Sequence, residues 1–233
     1  MRLTERLKKI VDFIDYDDRV ADIGTDHGYI PVYLIREKMM KDIIASDINE
    51  LPLENARKYI EKANLEDRID LRIGNGLEVL EKNEVDTVII AGMGGILISE
   101  ILDRDKELTE SIDKFILQPM VGIEELLIYL EKNDYNIVDE SLAKEGDKIY
   151  QIFKVKRASK EKRAIIEYEF SDALIEKNDI VFKEFLDKKI AKLGLIIESI
   201  KSNSDKIDQK YLKNLENKRN IFIGVRDKCF LKK

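Results

Sequence analysis

The chain has 233 residues, 44% apolar and 38% charged, a composition that builds a buried core and excludes a disordered protein. One cysteine excludes an internal disulfide, and one histidine beside it excludes the usual zinc ligand sets, so no metal is expected. The net charge of −6 is unevenly spread: residues 154–233 carry 21 basic and 13 acidic side chains, a net of +8, which leaves −14 on residues 1–153.

The N-terminal residues 2–14 place Leu3, Leu7, Ile10, Val11 and Ile14 at helical spacing, mixed with charges and without the apolar core of a signal peptide. Short apolar strands follow at 19–23, 43–47, 69–73, 86–91, 114–118, 135–140 and 149–155. The first five alternate with helices at 31–38, 52–63, 76–80 and 96–102, Pro31 and Pro52 falling in first turns, where proline is tolerated. Such alternation predicts a parallel sheet with right-handed crossovers. The last two strands flank the turn-like Glu145-Gly146-Asp147 and are expected to form an antiparallel hairpin. Seven strands in this layout predict an α/β, Rossmann-like fold of the class I methyltransferase type.

Beyond about residue 161 the pattern changes. Residues 173–202 read as one long helix, with Phe182, Leu186, Ile190, Leu193 and Ile197 on an apolar stripe. After a short polar loop, Ile207, Tyr211, Leu215 and Phe222 continue at similar spacing, which predicts a coiled-coil-like helical hairpin. Residues 1–156 are therefore expected to form the sheet domain and 157–233 the hairpin. No run is long and apolar enough for a bilayer span, and the chain reads as cytoplasmic, without a membrane partner.

The chemistry concentrates where strands end, because ligands of open α/β sheets lie beyond the carboxyl ends of the strands. The first strand runs into Asp22-Ile23-Gly24-Thr25-Asp26-His27-Gly28-Tyr29-Ile30-Pro31. A dinucleotide fold wants glycine where Asp26 stands, so that pyrophosphate can sit against backbone N–H groups. A carboxylate there repels phosphate and disfavours NAD, whereas S-adenosylmethionine has no phosphate and carries a positive sulfonium. The second strand delivers Asp47, able to accept both ribose hydroxyls, and the third delivers Gly74-Asn75-Gly76. The fourth delivers Gly92-Met93-Gly94-Gly95, a bare floor, and the fifth Gln118-Pro119. His27, the sole histidine, fits a backbone hydrogen bond as well as it fits substrate orientation or proton transfer. Cys229 reads as a small apolar packer.

The motifs Asp22 to Pro31, Ile90-Ala91-Gly92-Met93-Gly94-Gly95, Leu117-Gln118-Pro119 and Glu145-Gly146-Asp147-Lys148-Ile149-Tyr150 resemble the bacterial TrmK family, which methylates N1 of adenine 22 in tRNA with S-adenosylmethionine. The resemblance extends from the first helix through Val155 and, more weakly, into the C-terminal helices. Gly28 stands where the family usually has alanine, and Phe170-Ser171-Asp172-Ala173-Leu174 departs from the usual Phe-Gly-Pro turn. The resemblance implies cofactor contacts at Asp22, Gly24, Asp47, Asn75, Gly76 and Met93. It implies that Asp26, His27, Met93 and Gln118 face the target base, with Asp26 and His27 the catalytic candidates and Tyr29 a further substrate contact. The basic root of the hairpin, from Lys156 and Arg157 through Lys160, Lys162 and Arg163, is expected to meet the tRNA backbone, lying nearest the strand ends where adenine arrives. A monomer or weak homo-oligomer is expected. Adenine N1 keeps a neutral lone pair at pH 7, so alignment and water exclusion dominate, and Asp26 is placed to receive a proton from N6 or to stabilise the charge. Two other classes compete on the residues alone: a nicotinamide oxidoreductase and an RNA-binding module without a cofactor.

Overall fold

The computed structural model describes residues 2–157, 169–203 and 208–230. It divides into two compact units, Met1–Arg163 and Ala164–Lys233. The first is a seven-stranded sheet: β1 (Val20–Ile23), β2 (Ile43–Asp47), β3 (Ile69–Ile73), β4 (Thr87–Gly94), β5 (Lys114–Val121), β6 (Tyr135–Glu145) and β7 (Lys148–Arg157), in spatial order β3-β2-β1-β4-β5-β7-β6. β1 to β5 are parallel, and β7 runs antiparallel to both β5 and β6. The chain moves outward one way from β1 and the other way from β4, so the crevice opens between their carboxyl ends.

The central strands carry apolar side chains on both faces, as a sheet sandwiched between helices requires. All of β1 is buried, as is the Thr87–Ile90 part of β4. Helices α1 (Glu5–Val11), α2 (Tyr29–Lys38), α3 (Glu50–Lys62), α4 (Gly95–Arg104), α5 (Lys106–Glu110) and α6 (Ile123–Lys132) cover the sheet. The expected helix at 76–80 is a single 3₁₀ turn, Gly76–Val79. α5 and α6 had no counterpart among the expected helices; α6 buries Leu126, Leu127 and Leu130 on one face. Its entry needs close backbone contact, since a Cβ on Gly95 would collide with the Gly122 carbonyl. Gly95 is thus a packing glycine, not part of a bare floor.

In the second unit the long helix expected at 173–202 is two helices, α7 (Asp172–Lys177) and α8 (Ile180–Asn203). The break falls where Asn178 adopts the left-handed conformation and the Asp179 carboxylate accepts the Phe182 N–H at 2.8 Å, starting a new helix. α9 (Gln209–Phe230) packs on α8 around Phe182, Leu186 and Phe222, with the Phe170 ring 5.2 Å from that of Phe182. Ser171, in the segment that departs from the family turn, is the N-cap residue of α7.

Candidate active site

The loop after β1 is tied down before it reaches the cavity. The Gly24 and Thr25 N–H groups donate to the Ser46 carbonyl of β2 at 2.7 and 2.8 Å. Gly24 has φ +82°, a conformation that favours glycine, and the Met93 methyl lies against it where a Cβ would stand. Gly28, at φ +66°, is the N-cap of α2. Across the crevice β4 bulges at Gly92, φ +80°, shifting register against β5 and turning Met93 toward Gly24.

The result is a cavity of about 510 Å³, within the range of small-molecule sites. Its lining brings together Asp22, Gly24, Asp26, His27, Tyr29, Asp47 and Met93, as well as Gly92, Met120 and Arg6. Asp22 is buried at 5% exposure. Burial pushes its carboxyl up to about 6, with the neighbouring Asp47 charge adding to the rise and a Thr25 hydrogen bond working against it. Asp47 accepts the Asn49 N–H at 2.8 Å, an Asx turn that fixes its carboxylate at the end of β2. The Ser46 hydroxyl is buried and has no hydrogen-bond partner among the described residues. At the mouth Asp26 and His27 are exposed, with His27 Nε2 3.2 Å from Asp26 Oδ2. The rings of His27, Tyr29 and Tyr59 follow one another at 5.1 and 5.0 Å, an aromatic ladder beside the acid.

The remaining expected residues sit elsewhere. Asn75 and Gly76 open the 3₁₀ turn after β3, outside the residues that line the cavity; Asn75 is the N-cap of that turn, its backbone N–H donating to Glu78 Oε1 at 2.6 Å, while Gly76 is buried against Ile101. Gln118 is fully buried and its polar atoms are taken: Oε1 accepts from Arg6 Nη1 at 2.7 Å and from the Gly92 N–H at 3.1 Å, and Nε2 donates to the Pro119 carbonyl at 2.9 Å. It braces the cavity wall in place of facing a base. Lys156 and Arg157 correct the expectation that the hairpin root lies nearest the adenine. β7 is antiparallel, with Val155 opposite Phe115 at the start of β5, so its last residues reach the edge of the sheet away from the cavity. There Arg157 pairs with Glu110 at 2.9 Å. Lys160, Lys162 and Arg163 lie outside the described residues.

Arg6, on α1, gave no signal in the sequence. Its neighbours explain the Glu145 to Tyr150 motif: Glu145 accepts the Arg6 backbone N–H at 2.9 Å, and the Tyr150 ring lies 5.7 Å from the guanidinium carbon.

Among the described residues no cluster of side chains fit to hold a metal is present, and no helix is long and apolar enough to cross a membrane. An acid-lined cavity with a glycine pressed against a methionine fits a cationic, phosphate-free nucleoside and repels a dinucleotide's phosphates.

A methyltransferase-domain model matches residues 3–153. The tRNA (adenine(22)-N(1))-methyltransferase of Bacillus subtilis is 36% identical over 152 residues, 65% of this chain and 64% of that protein, so the aligned region spans a little under two-thirds of that relative. The crystal structure of the B. subtilis m1A22 tRNA methyltransferase TrmK aligns over 97% of this chain and 99% of its own, with TM-score 0.80 and 30% identity. That of Streptococcus pneumoniae Sp1610, a putative tRNA (m1A22) methyltransferase in complex with S-adenosyl-L-methionine, covers 97% of this chain and 100% of its own, with TM-score 0.82 and 28% identity. By its sheet order, its glycine-and-acid loop and this likeness along the whole chain, the protein belongs to the TrmK family of methyltransferases.

Proposed function

We propose that the protein methylates N1 of adenine 22 in tRNA, with S-adenosylmethionine as donor. The observation that carries this reading is the acid-lined cavity at the β1–β4 crevice, in a chain whose relatives are named for that reaction. When bound, the cofactor supplies an electrophilic methyl group on a sulfonium. Asp47, at the end of β2, takes the ribose hydroxyls.

Asp26 and His27 handle the substrate side. Adenine N1 attacks through a neutral lone pair, so no base is needed before the methyl moves. Once N1 is alkylated the ring is cationic, and the exposed Asp26 carboxylate stabilises that charge or accepts the proton that N6 gives up. His27, in contact with Asp26, orients it, and the ring faces of His27 and Tyr29 offer a stacking surface to a base drawn out of its pair. Within the second unit Lys192, Lys210 and Lys213 are exposed and make no ion pair among the described residues, which suits contacts to RNA phosphate. Reversing Lys210 and Lys213 to glutamate should weaken tRNA binding and flatten its salt dependence; an unchanged slope would leave them as solvated lysines.

The test of the activity is nucleoside mass spectrometry on unmodified tRNA incubated with protein and methyl donor. One 1-methyladenosine per tRNA is expected, lost when position 22 is changed to guanine. Absence of that product, or its persistence in the changed tRNA, would refute the reading.

A further inference from the structure

The joint between β5 and α4 carries apolar side chains outward beside the cavity. β5 lies beyond β4 from β1 and β2, so its carboxyl end flanks the crevice on the side away from Asp47. There Met120 is 40% and Val121 69% exposed, and Ile96, in the first turn of α4, is 56% exposed. Single exposed apolar residues are ordinary on a protein surface, but three on one joint mark a contact surface.

The joint is tightly built. Val121 pairs with Gly94 at the end of the β4–β5 ladder, and the Gly122 carbonyl packs against Gly95. The Ile96 nitrogen lies 3.6 Å from where a Gly122 Cβ would stand. Gln118 Nε2 donates to the Met120 sulfur at 3.6 Å, tying that side chain to the brace of the cavity wall. Met120 also lines the cavity, and Val121 follows it at the 3.8 Å spacing of consecutive Cα atoms. A base that enters the cavity brings its chain neighbours to the mouth, since stacked nucleotides are only about 3.4 Å apart along a strand.

Charge selects which part of the RNA meets this joint. Glu124 and Glu125 open α6 directly after it, and Glu100 and Glu125 line the groove beside Ile96. Carboxylates repel a phosphate backbone, whereas the face of a base is uncharged and stacks on apolar surface. We infer that Met120, Val121 and Ile96 form a shelf for the tRNA base next to adenine 22, replacing the stacking that this base loses when the adenine is drawn out. The shelf rests on the tRNA reading above and adds to it a contact with a second nucleotide. Extruding a base costs unstacking, and aliphatic side chains cover parted base steps in other nucleic-acid complexes. The shelf therefore acts on tRNA and not on the methyl donor.

The experiment measures tRNA affinity of the full chain with Ile96→Ser and Val121→Ser combined. Affinity should fall roughly 5–20-fold, the scale of withdrawing two partly covered aliphatic side chains. The slope against salt should not change, and S-adenosylhomocysteine should bind within twofold of native. Ile96→Met with Val121→Ile, which keeps the apolar surface, should retain native tRNA affinity. A tRNA with an abasic nucleotide on one side of adenine 22 should bind the native protein more weakly by a similar factor, and the serine variant should lose little more on that tRNA. Fully additive losses with abasic sites on either side would overturn the shelf, as would unchanged tRNA affinity or a flatter salt slope, which would mean a phosphate contact. A change of oligomeric state with native tRNA affinity would overturn it in favour of a protein partner. If the native protein neither binds nor methylates tRNA, the tRNA reading itself fails and takes the shelf with it; native methylation with unaffected serine variants removes the shelf alone.

Discussion

The two edges of the sheet treat charge in opposite ways. At the edge where the parallel strands begin, charges are matched. Lys114 is nearly buried between Asp15 and Asp18, the latter at 2.8 Å; Arg19 meets Asp86 at 2.7 Å and Arg68 meets Asp42 at 2.8 Å. Burial opposes the charge on Lys114, but its hydrogen bonds to the two aspartates prevail and raise its pKa. At the edge where the strands end, Asp22 is buried beside another acid, Asp26 is exposed, and Arg6 makes no ion pair among the described residues. Paired charge closes a fold; unmatched charge held in place is what a ligand can complete. The same strands thus carry a finished edge and an unfinished one.

Breaking the unfinished edge should hurt the reaction most. Asp26→Asn keeps shape and removes the charge that the proposed reaction offers to the methylated base, and should slow single turnover by about 10²–10⁴-fold, the span of general acid–base effects. S-adenosylhomocysteine affinity should stay within a few-fold, because Asp26 lies at the mouth. A variant with the native single-turnover rate would reduce catalysis here to positioning.

Breaking the finished edge should do the reverse. Lys114→Met removes the cation between two acids and should cost about 3 kcal/mol in denaturant melts, toward the low end for broken buried pairs. The low end applies because Lys154 also reaches Asp15 at 3.3 Å and the Thr87 hydroxyl still donates to Asp18 at 2.8 Å. Cofactor affinity in the folded variant should not change. A loss of affinity without loss of stability would erase the contrast between the edges.

Much of this was legible from residue order, because it is local. The run from Asp22 to Pro31 contains its own strand, turn and helix start, and its glycines sit where the backbone needs positive φ or meets a side chain. What escaped depends on distant partners. Arg6 looks like any solvated arginine on an amphipathic helix, since the residue that aims it is 112 positions away. Gln118 was expected as a base contact from the family resemblance, and only its burial and bonding partners show it as a brace. The hairpin of β6 and β7 was expected, but its direction carries Lys156 and Arg157 to the finished edge, a consequence of pairing and not of composition. The break at Asn178 was hidden because the apolar stripe of the helix resumes after the new cap.

Asp22 allows the contrast to be sharpened with pH alone. Burial pushes its carboxyl up to about 6 in the fold, against roughly 3.9 in an unfolded chain. Below the lower value both states are protonated and the residue contributes nothing. Between the two values the unfolded chain gives up its proton first, so stability falls as pH rises, and above about 6 the folded protein bears the whole penalty. At 1.36 kcal/mol per pKa unit this is on the order of 2–3 kcal/mol. Asp22→Asn should therefore be more stable than the native chain at pH 7 and nearly equal to it at pH 4, as read by urea melts. Ligand binding should run the other way. An ammonium group needs the charged carboxylate, so S-adenosylhomocysteine affinity should rise about tenfold per pH unit up to roughly 6 and then level. The Asp22→Asn protein should bind more weakly with a flatter profile. A stabilised variant that also binds as tightly as the native protein would mean that the buried charge serves neither the fold nor the ligand, and the unfinished edge would lose its central residue.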